Sequence, residues 1–150
     1  GTHGGFDLTV EAKGDLDVDG HHTVEDVGLA LGQALREALG DKRGVRRFAS
    51  ITVPLDEAAV EVALDLSGRP FVVYEVDVPA ETIGTFDSGL TEDFVRAFAT
   101  AAEMTVHVRL VSGRSPHHVV EAEFKALAAC LRWAVAVGGG DVPSTKGTLS

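Results

Sequence analysis

The sequence predicts an α+β fold, in which a duplicated unit builds a mostly antiparallel sheet with helices packed on one face. Three observations support this prediction. Segments of β-branched and aromatic residues alternate with long stretches whose apolar residues recur at helical spacing. The 150 residues are 45% hydrophobic and 24% charged, a composition typical of one globular domain. Finally, one strand-and-helix segment occurs twice along the chain.

Each element has a local signal. Alternating residues at 6–13 indicate a strand, and apolar residues every three or four positions over 23–39 indicate a helix that Gly40 ends. Gly138-Gly139-Gly140 breaks the last helix. The remaining predicted elements are a short strand near 16–18, a basic loop at 42–47, strands at 49–55, 58–66, 71–78 and 104–111, and helices at 89–102 and 118–137.

Charge and cysteine content narrow the classes of partner. With 13 basic against 23 acidic residues, the chain carries a net charge of −10, which repels nucleic acid and anionic lipid. No apolar run approaches the roughly 20 residues that span a bilayer, and no signal peptide is recognisable. The lone cysteine, Cys130, fits a reducing compartment. We therefore expect a cytoplasmic protein without nucleic-acid or membrane partners.

The repeat aligns HHTVEDVGLALGQALREAL (21–39) with HHVVEAEFKALAACLRWAV (117–135), and nine of the 19 aligned positions are identical. The preceding segments 8–10 and 104–106 match at the same offset of 96 residues. Helix packing alone would explain the shared Ala, Leu and Arg positions. It does not explain two adjacent histidines followed by a glutamate in both copies, which points to metal binding.

The repeat divides the single domain 1–150 into two related units, at 1–40 and 49–137, followed by a tail at 138–150. Three predicted strands precede the helix at 89–102 in the second unit, and the first unit has no counterpart to them. We therefore expect the N-terminal part of the first unit to be missing from this sequence.

The geometry of the repeated motif favours two metal ions. A histidine and a glutamate four residues later share one helical face, whereas the neighbouring histidine points about 100° away. One histidine and the glutamate of each motif would therefore serve one ion, and the adjacent histidine another, within one chain or between subunits. Imidazole and carboxylate donors suit manganese, iron, zinc or cobalt. The candidate ligands are His21, His22, Glu25, His117, His118 and Glu121.

Three loops carry groups that suit a phosphate: Arg46-Arg47, Ser67-Gly68-Arg69 and Ser144-Thr145-Lys146. Lys125 lies four residues after Glu121 on the same helical face, where an ordinary ion pair is the alternative to substrate binding. The other two histidines, His3 and His107, are interpreted as structural or exposed.

The sequence closely resembles the imidazoleglycerol-phosphate dehydratases of histidine biosynthesis, from Gly1 to Ser150. The resemblance implies a manganese-dependent dehydration of D-erythro-imidazole-glycerol phosphate to imidazole-acetol phosphate. The segments that carry it are HGGFDL (3–8), DGHHTVEDVGLALG (19–32), GDKRGVRRF (40–48), PLDEA (54–58), LDLSGRP (64–70), HHVVEAEFKALA (117–128) and PSTKG (143–147).

The resemblance also implies two Mn²⁺ ions per active site and a 24-subunit homo-oligomer with active sites between subunits. The six candidate ligands match the family's manganese ligands, and Glu25 and Glu121 are also the candidate catalytic residues. A further ligand position, 24 residues before the second histidine pair, is Asp93 here. The positions at which the family contacts its substrate match Arg47, Arg69, Ser144 and Lys146. Lys125 is a further candidate for substrate binding.

One metal-binding histidine of the family lies in a Phe-x-Asp-His-Met-like motif upstream of Gly1. The 150 residues alone are therefore expected to lack one ligand and to be inactive or nearly so. Two other classes stay open. A non-catalytic metal-binding assembly module would take up metal without turnover. A metal-dependent hydrolase would need a water-activating base, and no residue is singled out for that role.

Overall fold

The computed structural model describes residues 1–149. In chain order the elements are α1 (His21–Leu39), β1 (Phe48–Leu55), β2 (Ala58–Asp65), β3 (Phe71–Glu75), β4 (Thr82–Ile83), β5 (Phe86–Asp87), a 3-10 turn at Ser88–Leu90, α2 (Thr91–Ala101), β6 (Thr105–Ser112) and α3 (Pro116–Ala134). Within these residues, no helix is both long enough and apolar enough to cross a membrane.

The main sheet has the strand order β1-β2-β6-β3. A tight turn at Asp56-Glu57 joins β1 and β2 as an antiparallel hairpin, and β2 pairs antiparallel with β6. The parallel pair β3–β6 needs a crossover connection, which α2 supplies. Two of the three pairings are thus antiparallel, and the predicted α+β class with helices packed on the sheet is confirmed.

Strand β2 and helix α3 form the centre of the core. Residues of β2 alternate, so that Val60 and Val62 are fully buried, and α3 packs across both β1 and β2. Small residues of α3 such as Ala122 and Ala126 face this sheet and allow a close approach. Cys130 is also buried there, and burial raises the pKa of its thiol to about 11.

Helix α1 packs on α2 rather than directly on the main sheet. The close approach depends on Gly28 and Gly32. A Cβ on Gly32 would lie 2.5 Å from the Phe98 carbonyl oxygen, and one on Gly28 would lie 2.9 Å from the Ala97 Cβ. This contact sets the N-terminal turn of α1 beside the first turn of α2.

Several predicted boundaries were wrong. Residues 6–13 and 16–18 form no strand, because a strand needs a partner and none of residues 1–149 pairs with them. Leu8 and Val10 are accordingly 51% and 48% exposed. β3 ends at Glu75 instead of 78, α3 ends at Ala134 instead of 137, and both long helices begin earlier, at His21 and Pro116.

Side-chain hydrogen bonds lie at both helix starts, although only α3 has a side-chain N-cap, because the N-cap of α1 is Gly20. Asp19 Oδ1 accepts a hydrogen bond from the His21 backbone N–H at 2.9 Å. Ser115 is the N-cap of α3 and accepts from the His118 N–H, with Pro116 at the first helical position. The histidine pairs therefore lie in the first turns of α1 and α3, where side chains stay accessible.

The core also holds a carboxyl group that the sequence patterns did not reveal. Glu123 of α3 is 1% exposed, and its Oε2 accepts a hydrogen bond from the Tyr74 hydroxyl at 3.0 Å. Burial raises the pKa of Glu123 to about 7, and burial beside this carboxyl raises the pKa of Tyr74 as well.

Candidate functional site

The first half-site, which we define as His21, His22, Glu25, Asp93 and Asp15, lies at the N-terminus of α1. The His21 Nε2 atom is 3.8 Å from Glu25 Oε2, as expected for positions one turn apart. The packing of α1 on α2 brings the Asp93 carboxylate to 3.3 Å from His21 Nδ1. His21 thus contacts two other predicted ligands, one through each ring nitrogen.

His22 points to a different partner. Its Nδ1 lies 3.0 Å from Asp15 Oδ2, and this hydrogen bond raises the pKa of His22 and lowers that of Asp15. A carboxylate at Nδ1 fixes the tautomer, so that Nε2 carries the lone pair that a metal ion needs. Asp15 was not a candidate, because in the sequence it reads only as one of several turn formers.

The second half-site, defined as His117, His118, Glu121, Glu57 and Asp56, lies at the N-terminus of α3. His117 Nε2 is 3.2 Å from Glu121 Oε2. The Lys125 ammonium pairs with Glu121 Oε1 at 2.7 Å. Hydrogen bonds from Lys125 and then His117 lower the pKa of Glu121. Lys125 therefore forms an ordinary ion pair, which was the alternative to substrate binding. Its partner Glu121 is itself a predicted metal ligand.

His118 is held more firmly than its counterpart His22. Its Nδ1 lies 2.7 Å from Glu57 Oε2, and its Nε2 lies 3.8 Å from Asp56 Oδ2. The other Glu57 oxygen accepts from the backbone N–H groups of Ser115, at 2.9 Å, and Arg114, at 3.3 Å. The bond to His118 and these amides lower the pKa of Glu57 to about 2, and Glu57 raises the pKa of His118.

Both half-sites present the donor types that Mn²⁺ accepts, imidazole nitrogen and carboxylate oxygen. The predicted ligands therefore fit such an ion chemically. Among residues 1–149, however, no three His, Cys, Asp or Glu side chains converge closely enough to hold one ion. The chain offers two separate partial sites rather than one closed centre.

A cavity of about 660 Å³ lies apart from both half-sites. Four of the five side chains predicted to bind substrate line it, although they come from three distant segments: Arg47, Arg69, Ser144 and Lys146. The fifth, Lys125, does not. The Arg47 guanidinium is 15% exposed and donates to both Asp65 oxygens, at 2.7 and 3.1 Å, and to the Pro143 carbonyl at 2.8 Å. The Arg47 charge is thus paired with Asp65, and the cations among residues 1–149 that line the cavity without such a pair are Arg69 and Lys146, beside the hydroxyl groups of Ser144, Thr145 and Thr148.

The remaining sequence candidates lie elsewhere. Arg46 stacks over the ring of Trp133, 5.1 Å from its centroid, and lines a second, smaller cavity with His3. His107 is exposed on β6, away from both half-sites, in agreement with its interpretation as an exposed residue. Ser67 is buried and accepts from the Arg69 N–H, so it builds the turn that carries Arg69.

Comparisons with known proteins identify the family of the chain. The family model for imidazoleglycerol-phosphate dehydratase matches residues 1–131. The imidazoleglycerol-phosphate dehydratase of Frankia casuarinae is 55% identical over 99% of this chain and 77% of its own length. The enzyme of the same name from Gluconobacter oxydans is 53% identical over 98% of this chain and 76% of its own length.

Solved structures give the same result. The imidazoleglycerol-phosphate dehydratase of Staphylococcus aureus superposes with a TM-score of 0.83 at 38% identity, covering 91% of this chain and 77% of that one. The structure from Pyrococcus furiosus, in complex with (S)-C348, gives 0.77 at 39% identity, covering 86% and 71%. The chain therefore belongs to the imidazoleglycerol-phosphate dehydratase family, whose members are dehydratases.

Proposed function

We propose that the protein catalyses the manganese-dependent dehydration of D-erythro-imidazole-glycerol phosphate to imidazole-acetol phosphate in histidine biosynthesis. The observation that carries the proposal is the cationic cavity. Arg47, Arg69, Ser144 and Lys146 converge on it, and these are the positions that match the substrate contacts of the family. Two partial metal sites of imidazole and carboxylate donors supply the second requirement of the reaction.

In this proposal, two Mn²⁺ ions are held by His21, His22, Glu25, Asp93, His117, His118 and Glu121. When bound, they supply Lewis acidity to the substrate's imidazole ring and hydroxyl group. Asp15 and Glu57 orient His22 and His118 through Nδ1. We propose Glu25 and Glu121 as metal ligands and also as catalytic carboxylates, since each lies beside the first histidine of its pair.

The cavity residues anchor the phosphate away from the reacting carbons. The reaction breaks one C–O bond, which releases the hydroxyl group as water with a proton, and one C–H bond. The resulting enol becomes the ketone. Because the phosphate takes no part in these steps, its binding energy serves to orient the substrate, which lowers the entropic part of the barrier.

We further propose that complete active sites form between subunits of a 24-subunit homo-oligomer in the cytoplasm. Within residues 1–149 no three His, Cys, Asp or Glu side chains converge to hold one ion, and this supports the arrangement. In a symmetric assembly, a half-site on one subunit can meet a different half-site on its neighbour.

Turnover tests the proposal. The protein with its natural N-terminus should dehydrate imidazole-glycerol phosphate with Mn²⁺ and lose activity with a chelator. His117→Ala should abolish turnover, whereas His107→Ala, which changes an exposed histidine outside both half-sites, should leave it intact. Metal uptake and assembly without turnover would instead indicate the non-catalytic module.

A further inference from the structure

The basic loop at 42–47 lies along the C-terminal segment of the chain. A bridge pairs Val45 with Val137 in antiparallel fashion. Further backbone hydrogen bonds run from Gly138 N to Gly44 O at 2.9 Å, from Gly44 N to Asp141 O at 3.3 Å, from Arg46 N to Ala136 O at 3.0 Å and from Arg47 N to Ala134 O at 2.9 Å. This loop is therefore the surface on which the tail docks.

Beyond these backbone bonds, three side chains of the loop bond the tail: Arg43 pairs with Asp141 before the cavity-lining segment, and two further side chains hold the ends of that segment. Arg47 Nη1 donates to the Pro143 carbonyl at 2.8 Å. Lys42 Nζ donates to the Leu149 carbonyl at 3.0 Å. The segment between these points, 144–148, forms an arch that carries Ser144 and Lys146 to the cavity. The positions of those two side chains thus depend on both anchors.

Lys42 is an unusual anchor, because it is 4% exposed. Burial lowers the pKa of its ammonium. Its hydrogen-bond partner among residues 1–149 is the neutral Leu149 carbonyl, while the charges of Glu103 and Asp65 raise the pKa of Lys42 and the charge of Arg47 lowers it. Burying an ammonium costs several kcal/mol by general estimates, which one neutral hydrogen bond does not offset. A neutral donor would anchor the tail at lower cost.

The location of the charge explains this choice of residue. Leu149 is itself a lining residue of the cavity, so the Lys42 ammonium lies directly behind the cavity wall. In a low-dielectric environment, a positive charge there attracts an anion inside the cavity more strongly than it would in water. The positive charge of Lys42 therefore favours the binding of a phosphate in the cavity.

We propose that Lys42 is a positioning residue of the phosphate cavity, which fixes the C-terminal end of the 144–148 arch and adds positive charge behind it. The proposal rests on the proposed function, because the anion is taken to be the substrate's phosphate. Lys42 does not touch the substrate in this account. It acts through Leu149 and, along the arch, through Ser144 and Lys146.

The test compares Lys42→Met with Arg43→Met. Arg43 also contacts the tail, through Asp141 at 3.1 Å, but it is 59% exposed and lies outside the cavity lining, so it is a matched control. We expect Lys42→Met to raise the KM for the substrate about tenfold or more, with kcat within about twofold. Arg43→Met should change neither constant.

Lys42→Gln removes the charge but keeps a hydrogen-bond donor. It replaces Lys42→Met in the test if that variant does not fold. It keeps a donor, so the account expects a smaller but clear rise in KM. Wild-type kinetics in Lys42→Gln would overturn the charge argument. A fall in kcat at unchanged KM, or an equal effect of Arg43→Met, would reduce Lys42 to a structural residue.

Binding of inorganic phosphate, followed by calorimetry, distinguishes failure of this proposal from failure of the proposed function. If the wild-type protein turns nothing over, the proposed function fails, yet phosphate affinity still reports on Lys42. The account predicts a dissociation constant about tenfold higher for Lys42→Met than for wild type and Arg43→Met. Equal affinities in all three proteins would overturn it.

Discussion

The two half-sites carry the same motif and share one plan, yet their surroundings differ. In each, the first histidine lies near the glutamate one turn later, at 3.8 Å for His21 and 3.2 Å for His117. The second histidine meets a carboxylate through Nδ1, at 3.0 Å for His22 and 2.7 Å for His118. This shared plan suggests that the duplication copied the function together with the helix.

The difference lies in where the supporting groups come from. Glu57 belongs to the turn of a β-hairpin in the main sheet and is bonded by two backbone amides. Asp15 lies in a turn outside the sheets and is exposed. Conversely, the first half-site gains Asp93 from a neighbouring helix, and the second gains the Lys125 ion pair. The motif determines the positions of the two histidines and the glutamate, and the elements packed around it determine which side chains contact them.

The largest effect should come from removing a first histidine in either half. If each active site needs both half-sites, His21→Ala and His117→Ala should each lower kcat/KM by more than the roughly 100-fold typical of outer-shell changes. Steady-state kinetics and metal analysis of the two variants measure this. Near-normal activity of either variant would show that one half-site suffices.

Next in size is the loss of an orienting carboxylate. Glu57→Gln and Asp15→Asn should weaken Mn²⁺ binding by about 10- to 100-fold, the range for outer-shell partners of metal-bound histidines. The effect of Glu57→Gln should be the larger, because Glu57 is itself held by the Ser115 and Arg114 amides. Titration calorimetry with Mn²⁺ gives both affinities, and the reverse order would contradict the comparison.

A smaller effect concerns the helix contact that supports only the first half-site. Gly32→Ala would drive a methyl group against the Phe98 carbonyl, so it should lower the free energy of unfolding by about 1–3 kcal/mol. The aligned residue of α3 is Ala128, and Ala128→Gly should cost at most about 1 kcal/mol. Denaturant titrations of both variants test this, and a neutral Gly32→Ala would refute the tight contact.

The smallest expected difference lies at the helix N-termini. Ser115→Ala removes the N-cap acceptor of α3, which typically costs about 1 kcal/mol, and Asp19→Ala removes an acceptor one residue before the Gly20 N-cap of α1. The Asp19 bond is 2.9 Å long and the Ser115 bond 3.5 Å, so Asp19→Ala should be the more destabilising. Thermal melting of the two variants checks the order.

Sequence reasoning worked where the signal is local. Apolar spacing predicted α1, and the chain pattern also predicted α2, α3, β1, β2 and β6, with the strand ends correct to within one residue and the helix ends to within three. The repeat located the two histidine pairs, and their role as metal ligands stays a prediction. Four of the five predicted substrate-binding residues line one cavity, and their role in binding also stays a prediction.

The features that the sequence did not predict depend on contacts between residues that are far apart along the chain. The 6–13 segment has strand propensity, but a strand also needs a neighbour, which propensity does not report. Glu57 meets His118 across 61 residues and Lys42 meets Leu149 across 107. In the sequence these residues look like a turn acid and a surface lysine. Only the packing of the hairpin, the loop and the tail gives them a role.

Subunit mixing tests most directly the claim that the two half-sites complete each other between subunits. One variant would carry His21→Ala with Glu25→Ala, and the other His117→Ala with Glu121→Ala, and each should be inactive alone. When equal amounts assemble together, half the chains carry each intact half-site, so about a quarter of the sites should be complete. The account predicts recovery of about a quarter of wild-type activity in the mixed assembly. No recovery, in mixed particles that still assemble, would show that each active site is built from a single chain.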